Sequence, residues 1–227
     1  MPMDAPTDAN AEIEVTGYDW VPPFARGQVR DLRVRWALEE IGQPYRTRLI
    51  SARERPDWYY KEQPFGQVPT YREGDLLLFE CAAIALHIAE KDERLLPRSG
   101  PARSRALTWL FCAMNSIDPY VMNQVTCELF ARDDEWATLR RPMQTEMMER
   151  RLRQLGDALG DKDWLDGAFS VADILMVATL RTLANTSIVL PDGLAAYVAR
   201  GEARPAFQRA LAAQLADFIP DPEGVPA

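Results

Sequence analysis

Pro69 stands at the entrance of a β-run, between the loop Gln63-Pro64-Phe65-Gly66-Gln67-Val68 and the pair Thr70-Tyr71. Proline has no N–H and cannot sit inside a central ladder. At a strand entrance it is a candidate for a cis bond. A cis turn would aim the N–H and C=O of Val68 away from a sheet, where they can pair with an extended, peptide-like ligand. Glu73-Gly74-Asp75 follows as a tight turn, Leu76–Phe79 as a second strand, and Glu80-Cys81 as the opening of a helix. The unpaired N–H groups and positive dipole end of that helix attract a carboxylate. A plain hairpin with a capped helix and no ligand is the other reading of the same residues.

The elements around this stretch follow from hydrophobic periodicity. Ile13, Val15 and Gly17 alternate with Glu14, Thr16 and Tyr18, a period-two strand. The segment from Asp19 to Gly27 carries two prolines and a glycine, which break both strand and helix. Val29, Leu32, Trp36, Leu38 and Ile41 mark a helix ended by Gly42. Arg30, Arg33 and Arg35 on it read as solvated or snorkelling side chains. Tyr45–Ile50 is a second strand, residues 51–61 a short helix or irregular segment, and Glu80–Lys91 a helix with Ile84, His87 and Ile88 on its inner face. The order is β-α-β-α-β-β-α, a small mixed sheet of four strands with helices on both faces, because a strand–helix–strand start gives parallel strands and a tight turn an antiparallel pair. Leu96–Pro101 reads as a linker.

Beyond the linker the chain reads as all helix. Leu107 to Leu129 is a long helix with a kink or break expected at Pro119. Leu139, Met143, Met147, Leu152, Leu155 and Leu159 mark a second. Ser170-Val171-Ala172-Asp173 is a capping box ahead of an all-round apolar helix, the expected centre of a bundle. Leu194–Ala199 and a helix from Arg204 close the chain, and residues from Pro220 on read as disordered. The expected domains are residues 12–95 and 102–218.

Composition excludes several functions. The net charge of −8 argues against a nucleic-acid partner. No apolar run reaches membrane-spanning length. The polar, acidic start from Met1 to Glu12 reads as a floppy tail without a targeting signal, so a cytoplasmic location is expected. Three cysteines, Cys81, Cys112 and Cys127, form no CxxC pair and read as free thiols. A single histidine, His87, speaks against a histidine-based metal site, so no metal is expected.

Gln67-Val68-Pro69, the Phe79-Glu80-Cys81 helix entry, the Ser170-x-x-Asp173 box and Leu38-Glu39-Glu40-Ile41-Gly42-Gln43-Pro44-Tyr45 together resemble the soluble glutathione transferases over residues 12 to 218. The resemblance implies a thioredoxin-like N-terminal domain followed by an all-helical domain, glutathione as co-substrate, a small apolar electrophile or a peroxide as acceptor, and a homodimer. It implies that Val68, ahead of Pro69, pairs with the cysteinyl part of glutathione, with Gln67 beside it. Glu80 and Cys81 would take the γ-glutamyl end, with Cys81 where the family usually has Ser. The family's acceptor site, lined by the first long helix of the helical domain, would draw on Trp109, Cys112, Ser116 and Tyr120.

The family activates the glutathione thiol with a Tyr, Ser or Cys near the end of the first strand. Here residues 18–28 hold no Ser or Cys, and Tyr18 is the one hydroxyl. Positive charge, a hydrogen-bond donor or a helix N-terminus each stabilise a thiolate. The candidates, in order, are Arg26 with the helix start at Gly27-Gln28, then Tyr18, then Trp20 with its indole N–H. The missing signature leaves a second function open: a non-catalytic module of the same fold that binds apolar ligands or other proteins.

Overall fold

The computed structural model describes residues 7–220. These fall into two compact units, one running to Asp92 and resuming at Arg204, the other from Glu93 to Ala203.

The first unit is built on β1 (Glu14–Tyr18), α1 (Asp31–Ile41), β2 (Arg46–Ile50), β3 (Thr70–Glu73), β4 (Leu76–Phe79) and α2 (Cys81–Ala89). The sheet order is β2-β1-β3-β4. β1 and β2 are parallel, and β3 is antiparallel to both β1 and β4. The element expected within residues 51–61 is a single 3₁₀ turn, Asp57–Lys61. β1 lies at the centre, with Val15 and Thr16 both fully buried. The Thr16 hydroxyl is therefore paired inside, 2.7 Å from that of Thr70 on β3.

The last helix belongs to this unit. α8 (Pro205–Ala216) packs on α1, although the sequence reading ran the helical domain on to residue 218. This changes the reading of the α1 arginines. Arg33 and Arg35 are buried, not solvated. Arg35 pairs with Asp31 one turn earlier at 2.7 Å and with Asp217, just beyond α8, at 2.6 Å. Gln214 donates to Asp31 at 2.7 Å, and Glu39 and Glu40 take Arg209 and Arg204. A buried guanidinium needs such partners; Asp31 is local, but Asp217 lies 182 residues downstream, and nothing local announces it.

The tail expected up to Glu12 is also tied down where it is described. Thr7 bridges Tyr45, Asp8 N–H donates to Tyr45 O at 2.9 Å, and Ala11 is buried. Residues 221–227, nearly all of the segment expected to be disordered, lie outside the described residues. His87 is not a core residue beside Ile84 and Ile88. It is half-buried at the edge, edge-on to Tyr71, with Nε2 3.1 Å from Glu73.

The second unit is all helical: α3 (Gly100–Cys112), α4 (Asp118–Val125), α5 (Glu135–Leu159), α6 (Val171–Arg181) and α7 (Asp192–Glu202). Leu95 and Leu96, at the edge of the expected linker, are buried, and Leu95 O accepts from Val171 N–H at 2.9 Å. The break expected at Pro119 is a π turn, Ala113–Ile117, with Pro119 in the first turn of α4. Proline removes a donor and crowds the carbonyl four residues back, and a wider turn absorbs both. On α5 the inner face is Ala137, Gln144, Met148, Leu152, Leu155 and Leu159. Leu139 and Met143, expected on that face, are exposed. They lie off the 3.6-residue stripe that runs back from Leu159. α6 is buried from Val171 to Leu180 and is the centre of the bundle.

The capping box at the start of α6 is closed. Asp173 accepts from Ser170 N–H at 2.9 Å, Leu165 N–H at 3.0 Å and the Tyr197 hydroxyl at 2.9 Å. The Ser170 hydroxyl also donates to it at 3.1 Å, so replacing Asp173 with Ala takes the acceptor from four buried donors, and urea unfolding of Asp173→Ala should show a loss of about 3 kcal/mol or more. A second cluster responds to acid. Burial alone would raise the Glu73 carboxyl, but hydrogen bonds from Lys91, His87 and Tyr71 outweigh it and hold it at about 2, below its ordinary 4.5. A depressed carboxyl stabilises the fold above its unfolded value and loses that contribution as pH falls toward its folded value. The urea midpoint should therefore drop more steeply between pH 4.5 and 2 in the wild type than in Glu73→Gln.

Candidate functional site

The Val68–Pro69 peptide bond is cis, and β3 pairing begins only at Thr70. The Val68 side chain is buried with Ile50 and Tyr59, and Tyr18 and Val29 pack against the same cluster. Val68 thus holds its side chain in the core while its amide stays out of the ladder. Two buried side chains shape the loop before it. Gln63 Oε1 accepts from the N–H groups of Phe65 and Gln67 at 2.6 and 3.2 Å. The Tyr59 hydroxyl donates to Gln67 O at 2.7 Å. Gly66 has φ +64°, and a Cβ there would lie 2.7 Å from the Tyr60 ring, so the turn needs glycine on both counts. Gln67 itself is exposed.

The β3–β4 hairpin brings the second part of the site alongside. Thr70 pairs with Phe79 at the end of the ladder, and Pro69 and Glu80 are the residues that flank that pair in the chain. Glu80 is the one residue other than glycine with positive φ among the described residues, at 71°. That conformation is strained for a side chain of its type. Glu80 is exposed and stands ahead of α2, which no side chain caps. The Cys81 side chain is buried, and its sulfur accepts from Arg33 Nη1 at 3.5 Å. What Cys81 offers outward is its position at the mouth of the helix, where orphan N–H groups gather.

The candidates for thiol activation have different partners. Tyr18 ends β1, beside the Val68 cluster. Arg26 is exposed, with its guanidinium 5.9 Å from the centre of the Phe218 ring and Nη2 3.5 Å from Ile219 O. The helix start expected at Gly27-Gln28 is not there: α1 begins at Asp31, and Gln28 N–H already donates to Ala25 O at 3.0 Å. The first turn of α1 is filled by Asp31, whose carboxylate is 2.7 Å from both Arg35 and Gln214. Burial pushes that carboxyl up against the pull of Arg35. An acid in the first turn is a favourable use of this dipole. Trp20 is half-buried, with the Arg53 guanidinium 4.1 Å over its ring.

One residue near Tyr18 escaped the sequence reading. Arg55, after β2, donates to the Tyr18 hydroxyl at 3.0 Å, Gly66 O at 2.6 Å and Ala52 O at 2.9 Å. It sits in a polar stretch rich in arginine, with no spacing that marks it out.

In the second unit Trp109, Cys112, Ser116 and Tyr120 are all half-buried along α3, the π turn and α4. Burial pushes the Cys112 thiol up, against a hydrogen bond with Ser116 and the charge of Arg151. Arg151, on α5, donates to the Tyr120 hydroxyl at 3.1 Å and draws that phenol below its usual value. Among the described residues no three His, Cys, Asp or Glu side chains come together as a metal site, and no helix is long and apolar enough to cross a membrane.

Known proteins match this geometry. The family described as "Glutathione S-transferase, N-terminal domain" matches residues 24–90. Glutathione S-transferase 4 of Zea mays is 28% identical over 92% of this chain and 95% of its own. Glutathione S-transferase GstA of Escherichia coli O157:H7 is 31% identical over 71% of this chain and 80% of its own. The crystal structure of the theta class glutathione S-transferase of Xanthomonas axonopodis pv. citri, with glutathione bound, shares the fold at a TM-score of 0.76, over 88% of this chain and 97% of that one at 22% identity. A thioredoxin-like sheet with its proline-entered third strand, a helical unit later in the chain, and relatives matched over most of their length lead to one conclusion: the chain belongs to the glutathione S-transferase family.

Proposed function

We propose that the chain is a glutathione transferase that binds glutathione along Gln67, Val68 and Pro69, takes its γ-glutamyl end at Glu80 and the mouth of α2 at Cys81, and stabilises its thiolate with Tyr18. The observation that carries this is the placement of Val68: its amide lies outside the ladder, and Tyr18 packs against the buried cluster that Val68 forms with Ile50 and Tyr59. A cysteinyl residue paired in strand fashion with Val68 would bring its sulfur toward the end of β1. Glu80 supplies charge for the ligand's ammonium, and the uncapped α2 supplies N–H groups for its α-carboxylate.

The reaction needs little more. The thiol proton leaves to solvent, the sulfur attacks carbon of a small apolar electrophile, a carbon–sulfur bond forms, and the leaving group departs with its electron pair. A phenol O–H donated to the sulfur favours the anion, and holding both partners lowers the entropic barrier. The half-buried row Trp109, Cys112, Ser116 and Tyr120 is the surface we assign to the electrophile. Cys112, its thiol pushed up, serves as lining and not as nucleophile. Family membership alone supports a cytoplasmic homodimer as the working form.

Tyr18 now stands ahead of Arg26, whose guanidinium is directed at Phe218 and Ile219. Tyr18→Phe should lower kcat/KM for an aryl halide by about 10- to 100-fold, the value of one hydrogen bond to a charged group, with the KM for glutathione nearly unchanged. Glu80→Gln should weaken glutathione binding by about tenfold in calorimetry while leaving the fold intact. Retention on immobilised glutathione without turnover of any aryl halide or peroxide would favour the binding module instead. Failure to bind glutathione at all would overturn both readings.

A further inference from the structure

We propose that Arg55 is a positioning residue for the thiolate. It orients the Tyr18 phenol so that the phenol's own proton is presented to the sulfur, and it adds an uncompensated positive charge beside it. The inference rests on the reading of Tyr18 above and adds a residue to it.

The geometry is specific. Arg55 is half-buried and makes a fork: Nε to Gly66 O at 2.6 Å, Nη1 to Ala52 O at 2.9 Å, and Nη2 to the Tyr18 hydroxyl at 3.0 Å. A guanidinium has donors only, so the phenol oxygen accepts from it. Among the described residues the phenol O–H finds no acceptor of its own, so its proton is left to donate elsewhere. All three partners of Arg55 are neutral, and among the described residues no carboxylate pairs with it. A half-buried cation fixed by carbonyls on one side of a phenol favours a nearby anion and disfavours its protonated form. Neighbouring groups are already engaged. The Tyr59 hydroxyl donates to Gln67 O, Arg48 pairs with Glu62 and Glu14, and Arg53 lies over Trp20. The Gly66 contact also ties Arg55 to the loop that carries Gln67 and Val68, so phenol and loop are set by one side chain.

The test is the ionisation of bound glutathione, followed by the ultraviolet absorbance of its thiolate across pH and compared with kcat/KM for an aryl halide. Arg55→Gln should raise the thiol pKa of bound glutathione by about one unit or more and cut kcat/KM at neutral pH by about tenfold, with activity recovering at high pH. Arg55→Lys keeps the charge and should fall between the two, and it also serves as the folded control should Arg55→Gln unfold. Tyr18→Phe combined with Arg55→Gln should cost less than the product of the single losses, because Arg55 acts partly through the phenol. A purely structural role would instead raise the KM for glutathione and leave its thiol pKa untouched in both Arg55 variants. That result overturns the proposal while leaving the transferase reading in place. A wild-type protein that does not bind glutathione overturns both.

Discussion

The first unit is arranged around a residue that belongs to the core by its side chain and not to the sheet by its backbone. Val68 is buried against Ile50 and Tyr59, yet hydrogen-bonded pairing starts two residues later, at Thr70. Backbone N–H and C=O groups left outside a ladder must be satisfied by solvent or by a partner. The surrounding contacts hold this arrangement in place. Gln63 braces the loop from within, Tyr59 ties down the carbonyl of Gln67, and Arg55 grips that of Gly66. Gly66 has the φ that the turn requires and no Cβ to meet the Tyr60 ring. In a strand-like pairing with a peptide the affinity comes from main chain, so side chains can vary around it.

The placement also follows from topology. β1 pairs with β2 on one side and β3 on the other, and Tyr18 and Ile50 end the two parallel strands together. In open sheets, ligands gather beyond the carboxyl ends of strands where the order reverses. Tyr18, the loop after β2 and the approach to β3 all meet there. α1 and α8 stiffen the unit behind them with buried ion pairs. Such pairs stabilise little by themselves, but they fix geometry, because each charge tolerates few alternatives once it is out of water.

Much of the fold was legible. Strand alternation, the Val68–Pro69 entrance and the Ser170–Asp173 box are local signals: two-residue periodicity, a missing N–H, a side chain within reach of its own helix end. They gave the element order and the place of the expected peptide pairing. The polar assignments were less legible. Arg33 and Arg35 read as surface residues, but Arg35 is buried between Asp31 and Asp217, the latter from the far end of the chain, and Arg33 is buried against the Cys81 sulfur. Arg26 and the supposed helix start looked apt for a thiolate, but α1 begins only at Asp31 and the Arg26 guanidinium lies by Phe218 and Ile219. Arg55 carried no signal, since its three acceptors, the Tyr18 hydroxyl and the carbonyls of Ala52 and Gly66, share no spacing.

Order along the chain thus settled where backbone could turn, pair or stop, because those preferences act over four or five residues and leave periodic marks. Which long side chain meets which partner was settled by folding. A guanidinium or carboxylate reaches several ångströms from its Cα, and its environment is made by segments brought together only when the sheet and helices pack. That is why Pro69 and Asp173 could be read directly, while the partners of Tyr18, Arg26, Arg35 and Arg55 had to await folding.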